Sequence, residues 1–339
     1  MLIGIHHTGN RGFSERWIAY CEHHNIPYKI VDAYSSDIIK QLENCHAFMW
    51  QHHQSNYKDV LFAKQLLYSL EFSGKKVFPN FNTGWHFDDK VGQKYLLECI
   101  GAPLVPAYVF YTEAEAVAWV NKTNFPKVFK LRGGAGSANV ILAQNRNDAL
   151  KLISRAFGKG FIQYNWMDKF KEACRQKRIG NAGWREVLRP IYYALKKHPT
   201  EFSKYKGNEK GYVYFQEFIP ENQFDIRVIV VDNKAFGIKR IVRDGDFRAS
   251  GSGQIVYDRK FIDERCVKIS FDVSRKLRSQ SIAYDYVFNE RGDPLIVEIS
   301  FAFMASGYDK CPGYWDENMR WHYGDFNPYG WMVDMMLEK

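Results

Sequence analysis

"KVFKLRGGAGSANVI", residues 127–141, sets apolar Val128, Phe129 and Leu131 among basic Lys127, Lys130 and Arg132. It then breaks into Gly133, Gly134, Ala135, Gly136 and Ser137 before turning apolar again. The first half has the content of a buried strand. The second has the backbone freedom of a tight, adjustable turn. A strand running into a glycine-rich turn is one way unrelated folds hold phosphate, because main-chain N–H groups come close to the oxygens. It is also how many plain turns look, and the stretch alone leaves both readings open.

The position of the lysine narrows the choice. A Walker A loop needs GxxxxGK[ST], with lysine after the glycines, whereas Lys130 precedes them on the strand. A strand lysine under a glycine loop is the general protein-kinase arrangement, yet no HRD-like loop and no DFG occur. Two further elements bear on phosphate. In "YVYFQEFIPENQFDIRV", residues 212–228, a strand ends at Gln216-Glu217-Phe218-Ile219, Pro220 breaks it, and a new strand opens with Asp225 and Arg227. Such a hinge offers main-chain groups to an adenine edge and Asp225 to a ribose hydroxyl; the competing reading is a charged surface turn. The third element is a carboxylate pair, Asp285 in "AYDYVF" and Glu298 in "IVEIS", each within an apolar strand pattern. Buried carboxylates need a positive partner, either Mg²⁺ or a basic side chain such as Lys239, Arg240 or Arg243.

Composition sets the frame. The chain has 339 residues, enough for two or three domains, and 46% hydrophobic content, as in ordinary globular proteins. No apolar run approaches the ~20 residues of a membrane span. "MLIGIHHTGN" reads as a first strand and not as a signal peptide. The six cysteines are scattered with no CxxC, which fits reduced thiols in a cytoplasm and argues against a zinc ribbon. No HExxH spacing occurs among the ten histidines. Net charge is +9, and between Lys159 and Lys210 thirteen Lys and Arg stand against five Asp and Glu, a local excess of eight.

Along the chain, strand and helix signals alternate over the first segment: "LIGIHH", "YKIVDA", "CHAFMWQH" and "KVFPN" as strands, "FSERWIAYCEHH" and "YKDVLFAKQLLYSLEFSG" as helices. That alternation predicts a small parallel-sheet domain, with Asn10 or Ser14 as the first helix's N-cap. "DKVGQKYLLECIG" reads as a helix ended by Gly101, and Thr112 with Glu115 reads as a capping box. From Gly211 strands return, with Asp232-Asn233 joining two of them as a hairpin. The tail, 301–335, is rich in Trp, Tyr and Gly and reads as an ordered loop packed on the site.

Taken in order, these elements resemble the ATP-grasp superfamily, most closely its RimK-like carboxylate–amine ligase branch, over essentially the whole chain. The resemblance implies a Rossmann-like pre-ATP-grasp domain (1–86) and two α+β lobes that clamp ATP. One lobe, 87–210, has the glycine loop and the basic insert 158–210. The other, 211–339, has the hinge, the metal site and the tail. "DDKVGQKYLLECIGAPLVP" looks like the family's lysine helix, placing Lys90 on the phosphates. "FPKVFKLRGGAGSANV" looks like its second lysine strand, making Lys130 the phosphate lysine under Gly133, Gly134, Gly136 and Ser137. "FQEFI" matches the adenine hinge, with Gln216, Glu217, Phe218 and Ile219 at the contact positions and Asp225 at the ribose. "GIKRIVRDGDFRAS" is similar to the segment that carries Lys239, Arg240 and Arg248 to the triphosphate or acyl phosphate. Asp285 and Glu298 match the magnesium ligands, with Ser300 where the family typically has Asn.

The chemistry implied is ATP-dependent phosphorylation of a carboxylate, displacement of phosphate by an amine, and release of ADP, with two Mg²⁺ ions. Splitting the step in this way replaces a poor leaving group with a good one. The substrates implied are a small-molecule or glycan carboxylate and an amine, with no nucleic acid. The tail is similar to that of ATP-grasp proteins of bacterial surface-polysaccharide clusters, with Tyr308, Asp309, Trp315, His322 and Asp325 at the acceptor site. A RimK-like ligase acting on a protein or peptide, and a nucleotide-binding regulatory module without catalysis, are the alternatives. Three readings of the insert stand side by side: a solvated helical segment, a recognition surface for an acidic acceptor, and a nucleic-acid surface. A homodimer and transient association with a membrane surface are both compatible with the sequence.

Overall fold

The computed structural model describes residues 1–9, 12–134, 140–162, 170, 173–174, 177, 183–194, 201–242 and 254–338. The chain divides into two compact units. One comprises 1–53, 58–105 and 219–339, the other 54–57 and 106–218. Residues 1–86, expected as a separate domain, thus belong almost entirely to the same unit as the C-terminal third.

The first unit holds two sheets. β1 (Ile3–His6), β2 (Tyr28–Val31), β3 (Ala47–Met49) and β4 (Lys76–Phe78) form a parallel sheet in the order β2-β1-β3-β4. The helices Phe13–His23 and Tyr57–Phe72 lie where the apolar spacing predicts them. The N-cap of the first is neither predicted residue. Gly12 takes the position, Ser14 is inside the helix, and the Phe13 N–H donates to Gln51 Oε1 at 2.6 Å. Asn10 is outside the described residues.

The second sheet is antiparallel and seven-stranded. β9 (Phe224–Val231) and β10 (Lys234–Ile241) form its central hairpin. Asp232 and Asn233 make the turn with φ of 45° and 54°, the left-handed pair that a two-residue hairpin requires. β12 (Ser281–Phe288) and β13 (Pro294–Ser300) extend one side, and β11 (Ile255–Val256) pairs with β10. The tail is not a loop. β14 (Gly313–Asp316) and β15 (Trp321–Tyr323) continue the sheet beyond β10, and the helix Pro328–Leu337 packs on Phe13–His23.

Alternation along these strands sorts their side chains onto two faces. Ile226, Val228, Val230, Tyr284 and Ile299 join a core with the helix Glu264–Leu277. Ile229, Val231, Phe236, Ile238 and Ala283 join a core shared with Ile3, Ile5, Trp17 and Met332. That second face turns from apolar to charged at its far end.

In the second unit, β5 (Ala107–Phe110), β8 (Val213–Glu217), β6 (Lys127–Lys130) and β7 (Val140–Ala143) form an antiparallel sheet in the order β5-β8-β6-β7. Thr112 caps the helix Glu113–Val120 by accepting from Glu115 N–H and donating to its carboxylate, the predicted box. That helix and Arg146–Phe157 cover one sheet face through Ala116, Val120, Ala149 and Ile153 against Phe129, Val213 and Phe215. β6 and β7 flank the glycine stretch in sequence and pair antiparallel, with Lys130 opposite Val140.

Candidate active site

The charged end of the seven-stranded sheet follows from register. Arg240 on β10 lies opposite Asp225 on β9, Arg227 on β9 lies opposite Asp285 on β12, and Asp285 lies opposite Glu298 on β13. Asp225 and Arg227 are two residues apart, so all five side chains leave the same face. Arg240 holds Asp225 through two bonds of 2.6 Å and reaches Asp285 Oδ1 at 2.9 Å. Arg227 forks onto Asp285 at 2.5 and 2.6 Å. Lys90, in the first turn of the helix Lys90–Cys99, closes the row with its Nζ 3.2 Å from Glu298 Oε1. Asp89 caps that helix by accepting from Gly92 N–H, and Gln93 Oε1 accepts from Ile299 N–H, fixing the helix against β13.

Three cations thus stand against three carboxylates, and Arg240, Lys90 and Asp285 have side chains at most 14% exposed. Burial pushes the Asp285 carboxyl up, but the Arg227 and Arg240 guanidiniums outweigh it and hold the group at about 2. Asp225 is raised by burial, with Arg240 opposing. Burial lowers Arg227, yet Asp285 and the neighbouring Tyr308 phenol overcome it and carry the guanidinium well above its ordinary range.

Both candidate metal carboxylates are hard oxygen donors on paired strands. Asp285 is ionised at any ordinary pH, and Glu298 is 32% exposed. Both already have basic partners, Asp285 in Arg227 and Arg240 and Glu298 in Lys90. Mg²⁺, which takes one or two carboxylates and completes its shell with water and phosphate oxygens, would share these oxygens with them. Ser300, two residues beyond Glu298, donates from Oγ to Ala302 O at 2.8 Å and retains oxygen lone pairs for a further contact. Among the described residues no group of three or more His, Cys, Asp and Glu converges as a metal site.

Lys239 corrects the sequence reading. It was grouped with Arg240, but adjacent strand residues point to opposite faces. Lys239 lies opposite Ile226 and places its Nζ 3.5 Å from the centre of the Phe224 ring, away from the charged row. Arg248 is outside the described residues. Arg227, quoted in the hinge segment without a role, is the residue that the sequence reading missed. Its two-residue spacing from Asp225 was the available signal.

In the four-stranded sheet the two lysines of β6 likewise separate. Lys130 donates to Gln216 Oε1 at 2.6 Å, both nearly inaccessible, on the face opposite the helices. Lys127 pairs with Glu217 at 2.7 and 2.8 Å on the helix-covered face, the side of Phe129 and Phe215. The Glu217 N–H donates to Pro106 O. The four hinge residues therefore do not act as one set: Gln216 sits with Lys130, while the Glu217 side chain and N–H serve the sheet. Phe218 and Ile219 follow the strand, and Asn222 fixes the turn beyond them by bonding Ile219 O, Pro220 O and both main-chain groups of Phe288. Gly133 is buried and Gly134 has φ of 117°, where glycine is favoured. Gly136 and Ser137 are outside the described residues.

Of the tail residues assigned to an acceptor, Tyr308 adjoins Arg227. Asp309 pairs with Arg16 at 2.7 Å, and His322 pairs with Asp316 at 2.9 Å. Trp315 is 1% exposed in the core with the helix Glu264–Leu277. Asp325 is at the surface.

Comparison with known proteins bears on the whole arrangement. Residues 194–312 match the model of the RimK-like ATP-grasp domain. By sequence, no curated protein matches the chain. Among solved structures, a RimK domain protein ATP-grasp from Sphaerobacter thermophilus is similar at 14% identity and a TM-score of 0.56, over 100% of both chains. The biotin carboxylase domain of 2-oxoglutarate carboxylase from Hydrogenobacter thermophilus, solved with MgADP, ADP and bicarbonate, is similar at 12% identity and a TM-score of 0.60. The match covers 100% of this chain and 70% of that one. D-alanine–D-alanine ligase from Bacillus anthracis is similar at 15% identity and a TM-score of 0.54, over 99% and 96%. The chain has the ATP-grasp fold, and its residues 194–312 are similar to the RimK-like ATP-grasp domain.

Proposed function

We propose that this protein is an ATP-dependent carboxylate–amine ligase that activates a carboxylate as its acyl phosphate, transfers the acyl group to an amine and releases ADP and phosphate. The observation that carries the reading is the charge-balanced row Arg240, Asp225, Arg227, Asp285, Glu298 and Lys90 on one sheet face. Phosphoryl transfer to a carboxylate brings anions together, and catalysis consists largely of fixing cations around the charge that results. Asp285 and Glu298 would hold Mg²⁺, which when bound neutralises phosphate charge. Arg227 and Arg240 are oriented by Asp225 and Asp285 before any substrate arrives, so little ordering is left for the reaction to accomplish. Their planar forks suit a carboxylate or an acyl phosphate. Lys130 is assigned to the nucleotide phosphates, and Gln216, Phe218 and Ile219 to the adenine edge, while Glu217 is committed to the sheet.

For the substrates, the reading assigns the carboxylate to a sugar acid of a surface polysaccharide and the amine to an amino acid or simple amine. It rests on the resemblance of the tail and on the aromatic and basic content of the insert. The six cysteines are free thiols, consistent with a reaction in the cytoplasm, where ATP is abundant.

The test is incubation with Mg·ATP, pooled uronic acids labelled with oxygen-18 in the carboxylate, and pooled amines. The expected result is acceptor-dependent ADP release with one labelled oxygen appearing in phosphate. Release of AMP, or tight nucleotide binding without turnover against these pools and against peptide carboxylates, overturns the proposal.

A further inference from the structure

The ligase reading gives no catalytic role to the helix Trp184–Ala194 of the basic insert. At 100° per residue, Ile191, Trp184, Leu188 and Tyr192 fall on one continuous arc of that helix. These four are 37%, 67%, 57% and 57% exposed. Val187, at 4%, flanks the arc beyond Ile191, Pro190 lies opposite it, and both are buried. Arg185 and Arg189 border the exposed arc, and Glu186 accepts from Gly183 N–H at the helix start. A helix of a globular protein normally turns its apolar arc inward; this one shows it to solvent. The next helix, Glu201–Lys206, holds Tyr205 at 63% exposure with its ring stacked on Tyr57.

We propose that Trp184–Ala194 is an interfacial helix that docks the protein on an anionic lipid bilayer. Leu188 and Ile191 supply aliphatic surface for the acyl boundary, and Trp184 and Tyr192 have the apolar body and polar tip that suit headgroup depth. Arg185 and Arg189, within a segment carrying an excess of eight positive charges, meet the acidic headgroups. The same excess opposes self-association, since a second copy would present like charge to like. Nucleic acid would use the cations and rings but has no use for the exposed aliphatic side chains of Leu188 and Ile191. The proposal stands whether or not the ligase reading holds.

The test is co-sedimentation of the full chain with vesicles of phosphatidylcholine alone and of equal parts phosphatidylcholine and phosphatidylglycerol. Binding is expected only to the second, weakened several-fold at about 0.5 M NaCl. The double variant Leu188→Ser/Ile191→Ser is expected to lower partitioning by about tenfold or more. Arg185→Glu/Arg189→Glu is expected to remove the preference for acidic vesicles. Leu188 and Ile191 are both exposed, so thermal unfolding of the serine variant should match the parent. Failure to bind acidic vesicles, equal binding to both kinds, or unchanged binding by the serine variant overturns the proposal. A parent dimer that the serine variant converts to monomer also overturns it, in favour of an interface between copies.

Discussion

The two antiparallel sheets treat their cations differently. On one face of the seven-stranded sheet Arg227 and Arg240, with Lys90 from the helix Lys90–Cys99, all meet carboxylates, and the row carries no net charge of its own. In the four-stranded sheet the two lysines of β6 take opposite faces: Lys127 meets Glu217 under the helices, and Lys130 meets the neutral amide of Gln216. Three residues apart in sequence, they face opposite ways because strand periodicity is two. One cation is paired with a carboxylate, and the other donates to a side-chain amide.

The contrast can be broken by substitution. The largest effect is expected for Glu298→Ala, which removes half of the carboxylate pair from a half-exposed position: turnover falls by about 10³-fold or more while the fold persists. Surviving activity, measured by ADP release, would remove the metal assignment. Next come the two lysines. Lys130→Met is expected to lower kcat/KM for ATP by about 10²-fold and to cost about 1 kcal/mol by removing the donor to the buried Gln216 Oε1. Lys127→Met is expected to cost about 2 kcal/mol of stability, by leaving Glu217 without its partner, while largely sparing kcat. If the two variants exchange phenotypes, the assignment of faces fails.

Asp285→Asn tests the row as a structural element. It leaves two buried guanidiniums short of charge and is expected to cost about 3 kcal/mol at pH 7, measured by denaturant unfolding. The folded carboxyl sits below its ordinary value, so its contribution is complete above about pH 4 and is lost as pH falls toward about 2. The gap between parent and variant should therefore close over that interval. The smallest effect is expected for Lys239→Met: under threefold in kcat, and about 0.5–1 kcal/mol for the lost ring contact. A loss comparable to that of Lys130→Met would return Lys239 to the site.

The elements were legible because their signals are local. Period and turn chemistry placed the hairpin at Asp232-Asn233, the box at Thr112 and the strands that carry Asp285 and Glu298. The Phe13–His23 cap was missed because its partner, Gln51, lies 38 residues away. The tail was misread as a loop because β14 and β15 become strands by pairing at the edge of β10, and their own sequence is dominated by aromatic and turn residues.

Sequence alone thus determined which segments are strands and helices, which residue types stand at the hinge, the glycine stretch and the carboxylate pair, and where positive charge accumulates. Tertiary structure decided which of those residues meet. It put Arg227 on Asp285 across 58 residues and Lys90 on Glu298, took Lys239 and Glu217 to faces away from their expected partners, and left the apolar arc of Trp184–Ala194 turned outward. The physical reason is that composition and period are properties of neighbours in the chain. Pairing register and face are settled only when distant strands align, and a shift of one residue would send every side chain to the other side.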